Sequence, residues 1–302
     1  MMMTRRFTPV LTIFVLLGLA SLAEGKKAAG MNEFNKGNQL FDQKQYDQAI
    51  AEFTKAIQAD PKQAPFYTNR GFAYLHVNKL NEASDDFTKA IELDKKNYAA
   101  YIGRAQALLG QRIYDQALAD LDLAVPLKPE EVAAYKFRGF AEIGLNQWDK
   151  AIADFTIAIT KDPNDPQNYD RRALAYRGLK NYPAAIADYT TLLEKNPNDV
   201  DALTKRGYTS SLAQDYEKAI ADFEAALKLK PDDYDTIQRL QYARQMLAAK
   251  NAPPPTPAPT PSPSGWFTPV NIVIAIVVLL IIAVVVRLLT RGKEEPTSSR
   301  IR

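Results

Sequence analysis

Residues 151–163, Ala151-Ile152-Ala153-Asp154-Phe155-Thr156-Ile157-Ala158-Ile159-Thr160-Lys161-Asp162-Pro163, hold the pattern that decides the fold. Small residues at Ala151 and Ala158 flank an aromatic at Phe155, and a proline closes the run at Pro163. The spacing of three, four and seven is that of one face of a helix, and the proline marks a stop.

The same landmarks return every 34 residues in both directions. Ala49, Ala83, Ala117, Ala185 and Ala219 repeat the first, and Phe53, Phe87, Leu121, Tyr189 and Phe223 repeat the aromatic. Ala56, Ala90, Ala124, Leu192 and Ala226 repeat the second small residue, and Pro61, Pro129, Pro197 and Pro231 the stop, with Lys95 standing where one is missing. Twelve residues before the first alanine, Gly37, Gly71, Ala105, Gly139, Ala173 and Gly207 form another series. A small residue there lets two helices approach closely. The pattern predicts six units of two amphipathic helices, each helix about fourteen residues long. The prolines are expected to end the second helices, Pro183 to open one, and Pro126 to shorten the second helix of the third unit.

These residues resemble the tetratricopeptide repeat family, and the resemblance covers residues 30–233 in units 30–63, 64–97, 98–131, 132–165, 166–199 and 200–233. It implies an all-α, right-handed superhelical solenoid of antiparallel helix pairs. Residues 24–29 then form a short lead-in, and 234–250 a polar capping helix with Arg239, Arg244 and Gln245.

Outside the repeats the chain changes character. Residues 1–23 run from Arg5 and Arg6 through an apolar stretch to Ser21-Leu22-Ala23, the order of a signal peptide cleaved after Ala23. Residues 251–265 include seven prolines and are expected to be an extended spacer. Residues 266–289 read as a transmembrane helix, with Trp266 and Phe267 at the headgroup level. Residues 290–302, with Arg291, Lys293, Arg300 and Arg302, form a basic tail expected in the cytoplasm. The repeats would then lie outside the cytoplasm in a single-pass membrane protein, which we place in a bacterial cell envelope.

Charge narrows the partners. Residues 24–250 hold 31 basic and 33 acidic side chains, so the repeats lack the excess that nucleic-acid binding uses. Without cysteine, and with His76 as the sole histidine, neither a thiol nucleophile nor a histidine pair for a metal is available. No phosphate loop appears. The expectation is a protein that is no enzyme and takes no cofactor.

By family resemblance, partners are met at the second, fifth, sixth, ninth and twelfth places of each unit. That gives Phe34 and Asn38 in the first unit, Asn69 and Phe72 in the second, and Gln106 in the third. It adds Lys136 and Phe140 in the fourth, Arg171, Leu174 and Arg177 in the fifth, and Lys205 and Tyr208 in the sixth. One subgroup grips a peptide carboxylate with two asparagines and several cations. Asn38 and Asn69 fit it, whereas Phe34, Ala99 and Gly103 stand where cations belong, so that clamp is rejected. Lys136, Arg171, Arg177 and Lys205 lend the groove a basic lean suited to an acidic segment, unless Asp170 and Asp201 balance it. The recurrent Arg70, Arg104, Arg138, Arg172 and Arg206 read as framework. The leading expectation is an adaptor that holds a protein or peptide. The alternatives are a structural member of an envelope complex, or a carbohydrate- or wall-binding module.

Overall fold

A computed structural model describes residues 9–252 and 268–290 and is helical throughout. The N-terminal basic pair, the proline-rich spacer from Pro253, Trp266, Phe267 and the tail from Arg291 lie outside the described residues. Helix α1 (Pro9–Asp42) supplies the first helix of the first unit and continues N-terminally past Ala23 without a break. The second is α2 (Tyr46–Ala59). The remaining pairs are α3 (Ala64–His76) with α4 (Leu80–Leu93), and α5 (Tyr98–Gly110) with α6 (Tyr114–Leu127). Then come α7 (Val132–Gly144) with α8 (Trp148–Lys161), α9 (Pro166–Gly178) with α10 (Tyr182–Lys195), and α11 (Val200–Leu212) with α12 (Tyr216–Leu229). Helix α13 (Tyr234–Asn251) follows.

Each pair is joined by a three-residue link whose middle residue is left-handed. Lys44, Asn78, Arg112, Asn146, Lys180 and Gln214 all have φ between 57° and 62°. In the first link the Lys44 N–H donates to Phe41 O and the Gln45 N–H to Leu40 O, each at 2.8 Å. Orphan carbonyls at the helix end are thereby satisfied, and the chain reverses.

The exits from the second helices differ from expectation in two respects. Helix α4 stops at Leu93, in register with its counterparts, although Lys95 replaces the proline. An extended residue and its side chain do the work there: Asp94 Oδ1 accepts from the Lys96 N–H at 2.9 Å. Asp60, Asp162 and Asn196 make the same turn at their own helix ends. Pro126 does not shorten α6, which keeps 14 residues. It stands in the final turn, where its missing N–H removes one intrahelical bond and leaves the rest of the helix intact.

The landmark residues form the core. All six first alanines are fully buried, as are Phe53, Phe87, Leu121, Phe155 and Phe223, with Tyr189 nearly so. A Cβ on Gly37, Gly71, Gly139 or Gly207 would lie 2.5–2.9 Å from the unit's own phenylalanine ring. Where the third unit has Ala105 in place of glycine, its core side chain is Leu121, which needs less room. Phe87 is held from two sides, because a Cβ on Gly103 of the next unit would meet it at 2.2 Å. Each such ring contributes about 1.5–3 kcal/mol by burial.

A polar ladder crosses the stack. Arg70, Arg104, Arg138, Arg172 and Arg206 each grip, with Nε and Nη2, the carboxylate sixteen residues on: Asp86, Asp120, Asp154, Asp188 and Asp222, at 2.6–2.9 Å. The third nitrogen, Nη1, reaches back to the preceding unit, to Thr54, Thr88, Asp122, Thr156 and Thr190. Lys36 and Glu52 make the corresponding pair in the first unit. Each arginine therefore stitches its own two helices and its neighbour. Hydrogen bonding to Asp154, ahead of the opposing effect of burial, holds the Arg138 guanidinium firmly charged. Asp188→Ala would strand Arg172 in a site where its side chain is 17% exposed. Urea unfolding should show a loss of about 2–3 kcal/mol, and replacing both partners by leucine should recover most of it.

Helix α14 (Pro269–Thr290) belongs to a separate unit that begins at Asn251. It has 22 residues, the most apolar 18 of which have a mean hydropathy of 3.4, and it is the one helix among the described residues long and apolar enough to cross a membrane. At about 1.5 Å per residue it spans roughly 33 Å.

Candidate binding groove

The first helices of neighbouring units touch one another, α1 with α3, α3 with α5, α5 with α7 and α7 with α9. Among the described residues no second helix makes a comparable contact with the next second helix. A row of pairs that is tighter on one side curves toward that side, so the first helices line the concave face.

Six of the expected partner-facing places connect along this face in three pairs, each separated by 31 residues. Asn69 Nδ2 donates to Asn38 Oδ1 at 2.7 Å. The Arg171 guanidinium lies over the Phe140 ring at 5.5 Å. Arg177 lies over Tyr208 at 4.9 Å. Asn38, Asn69 and Phe72, together with Phe41 and Asp42, line a cavity of about 500 Å³ at the N-terminal end. Gln106 and Leu174 are half-buried between the two ends.

The fifth places belong to the joints between helices. Thr68 and Ile102 are buried, and Phe34 packs on Phe53 and Phe66 with ring centres 5.7 and 4.8 Å apart. Lys136 pairs at 2.7 Å with Asp165, whose other oxygen caps the start of α9. Lys205 is held by Asp170 at 2.8 Å and Asp201 at 2.7 Å. Burial works against its ammonium, but the two carboxylates outweigh it and raise its pKa above the ordinary lysine value. Lys136 and Lys205 are thus balanced within the fold, whereas Arg171, 3.9 Å from Asp170, and Arg177 lie against aromatic rings. Phe72 and Phe140 also serve the core, lying 5.0 and 5.5 Å from Phe87 and Phe155.

Two groove residues on α13 were not assigned to the groove from sequence. Arg239 lies over Tyr208 at 4.6 Å, and Tyr242 is 54% exposed. With Ser211, Leu212, Phe223 and Gln238, these three line a cavity of about 380 Å³. The signal was present: carried past Asp233, the 34-residue beat puts Arg239 at a sixth place and Tyr242 at a ninth.

His76 stacks on Tyr46 at 4.3 Å with the rings 2° from parallel, and Phe41 meets it edge-on. This is a contact between the first two units. Among the described residues no group of three or more histidine, aspartate and glutamate side chains is arranged to hold a metal ion.

Family models described as "TPR repeat" and "Tetratricopeptide repeat" match residues 37–78, 64–97 and 171–234. No curated protein matches the sequence. Among solved structures, YrrB, described as a TPR protein with an unusual peptide-binding site, superposes with a TM-score of 0.56 at 23% identity, over 64% of this chain and 97% of that one. Pseudomonas aeruginosa pilF gives 0.59 at 17% identity, over 73% and 99%. The MamA protein gives 0.52 at 23% identity, over 57% and 94%. At these identities the likeness is one of fold.

Proposed function

Because this chain is a tetratricopeptide-repeat protein, we propose that it is a membrane-anchored scaffold that holds a protein or peptide in the concave groove of its first helices. Repeats of this fold commonly mediate protein and peptide binding, and the structure described for YrrB is one with a peptide-binding site. The observation that carries the reading is the unbroken inner row of half-exposed amide, aromatic and guanidinium groups from Asn38 to Tyr242. Amides suit a peptide backbone, while rings and guanidinium planes suit side chains.

Anchoring rests on the apolar length of α14 and the basic residues that follow it in sequence. Together with the signal-like start, they favour repeats outside the cytoplasm and a cytoplasmic tail.

The test compares the full-length chain, purified in detergent and immobilised, with an Asn69→Ala, Gln106→Ala, Arg171→Ala variant of unchanged thermal stability. An envelope extract passed over both should leave a protein on the first and at least tenfold less on the second. Equal retention would transfer the binding role to the outer face and sink the groove reading.

A further inference from the structure

At the C-terminal end of the groove, two cations converge on one ring. Arg177 comes from α9 and Arg239 from α13, and their guanidinium carbons lie 4.9 and 4.6 Å from the centre of the Tyr208 ring on the intervening α11. Two like charges drawn together cost energy unless an anion lies near both. Arg239 has one carboxylate partner, Asp235, through Nε at 2.7 Å, and that side chain is 68% exposed. Arg177 has no ion pair among the described residues: the hydroxyl of Tyr189 lies against its guanidinium, while its Nε is buried without a hydrogen-bond acceptor. Buried donors are nearly always satisfied, so an orphan guanidinium nitrogen marks a place where an acceptor belongs. The adjoining cavity of about 380 Å³ adds Ser211, whose Oγ is likewise buried and unpaired, together with apolar walls from Leu212 and Phe223. At the opposite end of the groove the corresponding cavity has an amide pair and Asp42 in place of cations.

We propose that the Arg177–Tyr208–Arg239 stack and the cavity beside it form a carboxylate-binding subsite that takes an acidic residue of the partner next to an apolar one. The inference rests on the groove reading and specifies one end of it. The rings keep both guanidinium planes in place, so their N–H edges stay available for a charge-assisted bond without being ordered afresh at binding. The apolar neighbour fills the cavity. Selectivity for acidic segments follows, because an uncharged residue would leave the guanidinium donors unpaired.

The experiment uses the full-length chain in detergent, with its arginine Nε–H signals followed by ¹⁵N NMR and assigned through Arg177→Lys and Arg239→Gln variants. Three N-acetylated tetrapeptides, each with leucine at its second position, are titrated at constant ionic strength. One ends in glutamate amide, one in glutamine with a free terminal carboxylate, and one in glutamine amide. The Arg177 and Arg239 signals should shift saturably with at least one carboxylate-bearing peptide, at an affinity at least tenfold above the neutral one. Whichever carboxylate peptide binds more tightly tells a side-chain from a C-terminal source. Arg239→Gln should weaken that binding about tenfold, whereas Asp85→Ala, exposed on a second helix, should leave it unchanged. Unshifted signals, or equal affinity for charged and neutral peptides, would overturn the subsite. A partner still captured by the groove and lost with the Asn69, Gln106 and Arg171 substitutions would show that the groove reading survives that failure.

Discussion

Phe87→Ala is expected to lower the stability of the repeat unit by about 3–5 kcal/mol, the cost of truncating a fully buried phenylalanine. Phe87 has no solvent exposure, and it is enclosed by Gly71 of its own unit, Gly103 of the next and the edge of Phe72. Backbone faces a glycine on each side, so few side-chain atoms are available to collapse into the space. Urea unfolding monitored by circular dichroism measures the loss. A fall below 1 kcal/mol would mean that the packing between the second and third units is looser than these contacts require. Gly103→Lys should be costly for the converse reason, because its Cβ displaces the same ring. That substitution supplies a cation the two-carboxylate clamp would need, so the clamp is excluded by packing as well as by sequence.

Glu142→Leu is expected to act in the opposite direction. Glu142 is 4% exposed, one of its carboxyl oxygens lacks a partner, and burial first, then the nearby Asp154, push its pKa up to about 7. The folded state therefore holds this proton more tightly than the unfolded chain does. The associated stability is fully present below the unfolded value near 4.5 and is lost as pH rises through 7. The wild-type chain should weaken between about pH 5 and pH 8 by an amount on the order of 2 kcal/mol. The leucine variant should lack that slope and be the more stable protein at pH 8, since the same place holds Leu40 and Leu108 in other units. Parallel pH profiles for the two proteins would show that Glu142 is solvated in solution.

The repeat was legible because its landmarks are residues whose identity is their function. A buried alanine, a core ring and the small residue facing it cannot be exchanged freely, so the 34-residue beat survives in each. The turn chemistry was less visible: Lys44, Arg112 and Gln214 carry no mark of a left-handed residue, and the helix ends rest on Asp60, Asp94, Asp162 and Asn196 more than on proline. The arginine ladder was half legible. The arginines stood out as framework, but their carboxylate partners keep the beat just as strictly and announce themselves only when the two series are set sixteen residues apart.

The groove was harder to read for a physical reason. Places on a first helix alternate within one turn between the concave face and the joints, so Lys136 and Lys205 look like partner-facing cations in sequence and are held by Asp165, Asp170 and Asp201 in the fold. Arg239 was read as part of a polar cap and Tyr242 was not singled out, although both extend the groove by one step.

Site-specific photo-crosslinking in native membranes tests the groove most directly. A photoreactive phenylalanine analogue is placed at Gln106 on the inner row, or at Asp85 on the second helix of the preceding unit, in the otherwise unaltered full-length chain. The account predicts a discrete adduct with another protein from position 106 and none from position 85. Adducts from position 85 alone would contradict it and assign the binding role to the outer face.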